Sequence, residues 1–178
     1  MSIEQEIKKR IRVINDFPIK GIKFQDIFSL TNDIILFKKI INKISRYVKK
    51  ESITKIAGIE ARGFIFASAV SLKCQIPFIP IRKPGKLPGG VVKQKYKLEY
   101  GTDQIEIQKG MIKKSDKVLI IDDLIATGGT ALASYRLVTK LTTKRISYFF
   151  VINLKNLGGV DKLMKKNIVV RTLYNTQG

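Results

Sequence analysis

The chain has 178 residues, 44% of them hydrophobic, enough for one buried core and short for two. It contains no histidine and a single cysteine. That excludes Ser–His and Cys–His nucleophile pairs, histidine metal ligands, a cysteine-rich zinc site and an internal disulfide. With 34 basic against 14 acidic side chains the net charge is +20, which suits a phosphate-bearing ligand or a nucleic acid.

The lysines are spread along the whole chain instead of forming a stripe, which argues against a dedicated nucleic-acid surface. Cys74 follows the apolar stretch that begins at Ala69 and reads as a buried, inert thiol. The N-terminus lacks the apolar core of a signal peptide, and no run approaches the ~18 apolar residues of a membrane span. The expectation is a cytoplasmic protein without membrane contact.

In chain order, Ile3, Ile7, Ile11 and Ile14 keep a helical spacing and predict a helix over 3–14. Asp16 to Gly21, with Pro18 inside, breaks it. Phe37, Ile40, Ile41, Ile44 and Val48 predict a second amphipathic helix over 33–50. Beyond it, apolar runs alternate with helical stretches. Strands are expected at 53–59 and 77–81 with a helix at 63–73 between them, then a Pro/Gly/Lys loop over 82–92. Two further strands fall near 93–99 and 103–108, and a buried strand at 118–121. A helix at 129–141, a strand at 146–153, a short helix at 158–166 and a strand at 167–173 complete the chain. This alternation implies an α/β fold, with a parallel sheet covered on both faces. Ligands of such sheets sit beyond the carboxyl ends of the strands.

The most informative segment runs from Val118 to Thr130. Asp122 and Asp123 end the apolar run, and Ala126, Thr127, Gly128, Gly129 and Thr130 lead into the next helix. Adjacent carboxylates at a strand end are costly unless hydroxyl-rich or cationic groups meet them. Small residues at a helix N-terminus can wrap backbone N–H groups around a phosphate, with threonine hydroxyls as further donors. Together they suit a ribose 5-phosphate. The chain holds neither G-x-x-x-x-G-K-S/T nor G-x-G-x-x-G, so P-loop and dinucleotide readings fall away.

An apolar run, two acids and Ala-Thr-Gly-Gly-Thr resemble the phosphoribosyl-diphosphate signature of type I phosphoribosyltransferases. Further stretches resemble the adenine-using members of that family: Gly58 to Phe64, Arg82 to Pro88, Tyr96 to Gly101, Asp16-Phe17-Pro18 and Gly21 to Asp26. The resemblance implies one domain over 1–178, with a central, mostly parallel sheet flanked by helices. It also implies a small N-terminal hood and helix over about 1–35 and a mobile basic loop and hairpin over about 82–108.

For the reaction, the resemblance implies that adenine and 5-phosphoribosyl 1-diphosphate give AMP and pyrophosphate. By the same token Asp122, Asp123 and Ala126 to Thr130 would hold the ribose and its phosphate. Glu60, Ala61, Arg62, Arg82, Lys83 and Lys86 would meet the diphosphate. Lys23, Phe24, Gln25 and Leu124 would hold adenine, with Phe24 and Leu124 stacking on its two faces. Glu99 and Arg62 would be catalytic, and Tyr100 would belong to the closing loop. Mg²⁺ would be held mainly by substrate, with no direct protein ligand, and the enzyme would be a homodimer. The chain departs from the family at Lys23, often apolar there, and at Gln25, often Arg. Another purine acceptor, xanthine or guanine, and a regulatory protein that senses the donor remain as alternatives.

Overall fold

The computed structural model describes residues 1–97 and 101–177. Ser2 starts helix α1 (Ile3–Arg10) with a reciprocal capping pair: its hydroxyl accepts from Gln5 N at 3.3 Å, and its own N–H donates to Gln5 Oε1 at 2.9 Å. The predicted helix over 3–14 stops there. Arg12–Asn15 is strand β1, paired antiparallel with β2 (Lys23–Asp26). The cause is long-range. The Arg12 guanidinium donates twice to Asp26 Oδ2, at 2.9 and 2.5 Å, and Arg12 N donates to the Ser29 hydroxyl at 3.0 Å. Helical spacing carries no trace of these partners. All four residues of β1 are exposed. A single turn, α2 (Phe28–Thr31), leads to α3 (Ile34–Lys50), which Asp33 caps through the amides of Ile35 and Leu36.

The core follows as β3 (Lys55–Ile59), α4 (Gly63–Cys74), β4 (Phe78–Ile81), a hairpin of β5 (Val91–Lys97) and β6 (Thr102–Gln108), and β7 (Val118–Ile125). Then come α5 (Gly129–Thr139), β8 (Ile146–Leu154), a short 3₁₀ turn, α6 (Gly159–Met164) and β9 (Val169–Thr176). Five strands form one sheet in the order β4-β3-β7-β8-β9, and every pair in it is parallel. The short helix expected at 158–166 is α6, and the 3₁₀ turn (Lys155–Leu157) precedes it. The central strand is longer than expected: β7 continues through the acidic doublet, with Asp122 paired to Phe150 and Leu124 to Ile152. The doublet therefore lies within a strand, near its carboxyl end.

Alternation along β7 divides the core in two. Leu119 and Ile121 join a cluster with α1, α3 and α4, while Val118 and Ile120 join a second one with α5, α6 and the β5–β6 hairpin. Both faces are thus covered, as the continuous Val/Ile runs require. Cys74 is only partly buried, against the first cluster at the last turn of α4. Among the described residues no helix is long and apolar enough to cross a membrane.

Candidate active site

A cleft of about 290 Å³ opens at the carboxyl ends of β3, β4 and β7. Asp122, Asp123 and Leu124 line it from β7, and the bend from Ala126 to Thr130 lines it from the start of α5. Glu60, Ala61 and Arg62 line it from the turn after β3, and Arg82 and Lys83 from the loop after β4. Parallel register puts these turns side by side, because every strand of the sheet ends at the same edge.

The acidic doublet divides its duties. Asp122 Oδ1 accepts the Asp123 N–H at 2.9 Å. Burial first, then the neighbouring Asp123 carboxylate, pushes the pKa of Asp122 well above the ordinary carboxylate range. Asp123 is 3% exposed and is also pushed up by burial, although the Arg62 guanidinium pulls the other way. Arg62 Nε lies 2.9 Å from Asp123 Oδ2, yet the approach is off line, so that buried oxygen receives no hydrogen bond. A buried acceptor beside a cleft and without a donor is suited to a ligand hydroxyl.

The bend between β7 and α5 is built from glycine. Gly128 has φ +75°, and a β-carbon on it would lie 3.0 Å from the carbonyl oxygen of Gly159, the first residue of α6. Lys162 Nζ donates to Thr127 O at 3.1 Å, and Tyr148 of β8 donates to Ala131 O at 2.7 Å, so α6 and β8 support the bend from below. No side chain caps α5, which leaves its first amides for an anion.

Across the cleft, Glu60 ties down the basic loop. It accepts from Lys86 Nζ at 2.5 Å, Lys83 N at 2.9 Å and Arg82 Nε at 3.1 Å. Burial works to raise its pKa, but those three donors outweigh it and hold the carboxyl below its ordinary value. Lys86 thus faces Glu60 and is exposed. Lys83 instead reaches Asp103 of β6, with Tyr96 of β5 beside it.

The four residues expected at the base fall in different places. Leu124 lines the cleft. Phe24 is joined to it through Arg62, whose guanidinium carbon stands 5.2 Å above the Phe24 ring, and Phe17 packs edge-on against that ring at 5.0 Å. Arg62 is therefore held between the hood and Asp123. Lys23 and Gln25 do not line the cleft. On a strand they leave the backbone opposite to Phe24: Lys23 is exposed, and Gln25 is 4% exposed with Oε1 unpartnered. Glu99 and Tyr100 lie outside the described residues.

Several contributors were not read from the sequence. Gly63 packs against Asp122, Gly159 and Lys162 support the bend, and Tyr96 and Asp103 hold Lys83. Gly63 and Tyr96 lie within stretches that resemble the family, whereas Asp103 acquires its meaning only from the pairing of β5 with β6.

Two acids, a glycine bend and a facing basic loop at the carboxyl edge of a parallel sheet are the arrangement expected of a type I phosphoribosyltransferase. The phosphoribosyl transferase domain family matches residues 26–173. An adenine phosphoribosyltransferase of Pelagibacter ubique is 49% identical over 172 residues, 97% of this chain and 98% of its own. One from Campylobacter jejuni is 47% identical over 165 residues, 92% of this chain and 91% of its own. Among solved structures, the adenine phosphoribosyltransferase of Rhodothermus marinus superposes with a TM-score of 0.90 at 38% identity, covering 98% of each chain. That of Saccharomyces cerevisiae, complexed with an imino-altritol bisphosphate and adenine, gives 0.88 at 39% identity, covering 96% of this chain and 98% of its own. This chain belongs to the adenine phosphoribosyltransferase family.

Proposed function

We infer that this chain transfers the 5-phosphoribosyl group from 5-phosphoribosyl 1-diphosphate to adenine, releasing pyrophosphate and forming AMP. The observation that carries the reading is the buried, donor-less Asp123 Oδ2 beside the uncapped start of α5. One supplies an acceptor for a ribose hydroxyl and the other donors for its phosphate. Breaking the bond at C1 builds positive charge on the ribose ring and negative charge on the departing diphosphate. Asp122 and Asp123 would hold the hydroxyls and favour the cationic ring. Ala126, Thr127, Gly128, Gly129 and Thr130 would fix the phosphate and so orient C1 toward the base. Arg82, Lys83 and Lys86 would meet the diphosphate, with Glu60 and Ala61 shaping the turn opposite.

Leu124 and Phe24 would sandwich adenine once Arg62 leaves the Phe24 ring for the reacting groups. Lys23 and Gln25 would contribute backbone rather than side chains, since neither side chain lines the cleft. Glu99 would manage the adenine proton as the base attacks, and Tyr100 would accompany it in the closing loop.

Magnesium fits here as an ion carried by the donor. Among the described residues no group of three or more acidic, histidine or cysteine side chains could hold a metal, and one acid of the doublet already faces Arg62. Mg²⁺ needs few protein ligands where phosphates supply oxygen, and when bound it would add positive charge beside the leaving diphosphate. We read the enzyme as a cytoplasmic homodimer, a state that light scattering on the purified protein would test.

The deciding experiment is a purine panel with radiolabelled donor. Adenine should be the one efficient acceptor, and efficient use of guanine or xanthine would refute the assignment. Asp122→Asn together with Asp123→Asn should abolish turnover in a folded protein. Glu99→Gln should lower kcat more than donor affinity.

A further inference from the structure

Lys83 is one of the cations assigned to the diphosphate, but its ammonium is not free. It contacts Asp103 Oδ2 and lies 3.5 Å from the Tyr96 hydroxyl and 5.9 Å from the centre of that ring. The Tyr96 hydroxyl donates to the same Asp103 oxygen at 2.8 Å, and Asp103 Oδ1 accepts the Gln104 N–H at 2.7 Å. A carboxylate held at both oxygens is a fixed anchor, whereas a lysine alone is a flexible stem. The pair stays ionised. Burial of Lys83 works to lower its pKa, but Asp103 and Tyr96 outweigh it and raise the ammonium above its usual value. Burial of Asp103 is likewise overcome, chiefly by Lys83, and its carboxyl is lowered.

The same tyrosine reaches the other side of the cleft. Its hydroxyl oxygen is 3.3 Å from Thr130 Oγ1 in the first turn of α5. Since Tyr96 gives its proton to Asp103, Thr130 is the donor in that contact. A phosphate at the bend would compete for that proton. Tyr96 is 8% exposed and packs in the core beneath the hairpin, so its ring is fixed by more than these bonds.

We propose that Asp103 and Tyr96 are positioning residues that hold the Lys83 ammonium at the cleft wall and tie it to Thr130, so that the diphosphate arm and the 5-phosphate arm of the site are set by one side-chain network. The proposal rests on the transferase reading above and adds to it two residues that touch no substrate. Neither needs to move for the network to act. Its effect is to reduce the freedom of a cation that must meet the departing diphosphate in one geometry.

The test is a double-mutant cycle read in donor kcat/KM, with adenine saturating and melting temperature recorded for every variant. Asp103→Asn and Tyr96→Phe should each lower donor kcat/KM by about tenfold in the wild-type background, a coupling within the range usual for contacting residues. In a Lys83→Met background, Asp103→Asn should change it less than about twofold, because the ammonium it positions is gone. Asp103→Glu should recover part of the loss. A merely structural role predicts losses that add in the Lys83→Met background and follow the melting temperature, and that result would overturn the proposal. So would wild-type kinetics in both single variants. An inactive wild-type protein would overturn the transferase reading and the proposal together, whereas an active one with additive losses would overturn the proposal alone.

Discussion

Replacing Gly63 with alanine should damage the site from behind without removing any proposed ligand group. A β-carbon at this position would lie 2.7 Å from Asp122 Oδ1 and 2.8 Å from the carbonyl oxygen of Ile121. Both separations are repulsive, and the second belongs to the backbone of a buried central strand, which has no rotamer to swing aside. Alanine brings a competing gain, because glycine in a helix costs up to about 1 kcal/mol in propensity. Gly63 is the first residue of α4, where that gain is smallest. Overpacking a close-packed interior costs about 1–3 kcal/mol. Repulsion wins, for a net loss of roughly 1–2 kcal/mol. At about 2–4 °C per kcal/mol for a chain of this length, the melting temperature should fall by roughly 2–8 °C. The larger consequence is chemical. Either α4 or β7 must shift, and Asp122 shifts with it. Misplacement by about 1 Å costs as much as 10²-fold in rate, so a fraction of that should lower kcat by about tenfold. Thermal melting and steady-state AMP formation measure both effects, with Ser68→Ala on the exposed side of the same helix as control. A Gly63→Ala protein that keeps wild-type melting and kcat would show that space exists for the β-carbon, and the argument would fail.

Asp122→Asn should stabilise the ligand-free protein while removing its activity. The folded carboxyl has a raised pKa, so its contribution is fully present below the unfolded value, near 3.8, and is lost as pH rises through the folded one. The variant should therefore melt higher than wild type at neutral pH and no higher in acid; equal melting throughout would contradict the assignment. Glu60 has the opposite sign. Its lowered pKa gives stability that is present above 4.5 and lost as pH falls through the folded value, so Glu60→Gln should cost about 1 kcal/mol at neutral pH and flatten the acid limb of a denaturation profile. Gly128→Ala must adopt φ +75° and approach the Gly159 backbone at 3.0–3.1 Å. The left-handed conformation alone costs about 1–2 kcal/mol, and calorimetric affinity for ribose 5-phosphate should fall with stability; undiminished affinity would contradict a fixed bend.

Much of the fold was legible because its signals are local. Continuous apolar runs at β3, β7 and β8 and helical spacing along α3 identified the parallel sheet and its cover. The run from Val118 to Thr130 pointed to one wall of the cleft, which the two acids and the glycine bend line. Strand β1 hides at the end of an apparent helix because isoleucines at 3, 7, 11 and 14 keep helical spacing, while the partners that make 12–15 a strand, Asp26 and Ser29, lie 14 and 17 residues away.

The sequence by itself determined which groups the chain can bring to chemistry: two adjacent carboxylates, a glycine-threonine bend, a loop of cations, and neither histidine nor a cysteine pair. Tertiary structure alone decided what those groups face. It places Arg62 between Phe24 and Asp123, turns Gln25 inward, and joins Lys83 through Asp103 and Tyr96 to Thr130. The physical reason is range. Strand and helix periodicity is written within a few neighbouring residues, whereas ion pairs and buried hydrogen bonds arise between segments that only the folded chain makes neighbours.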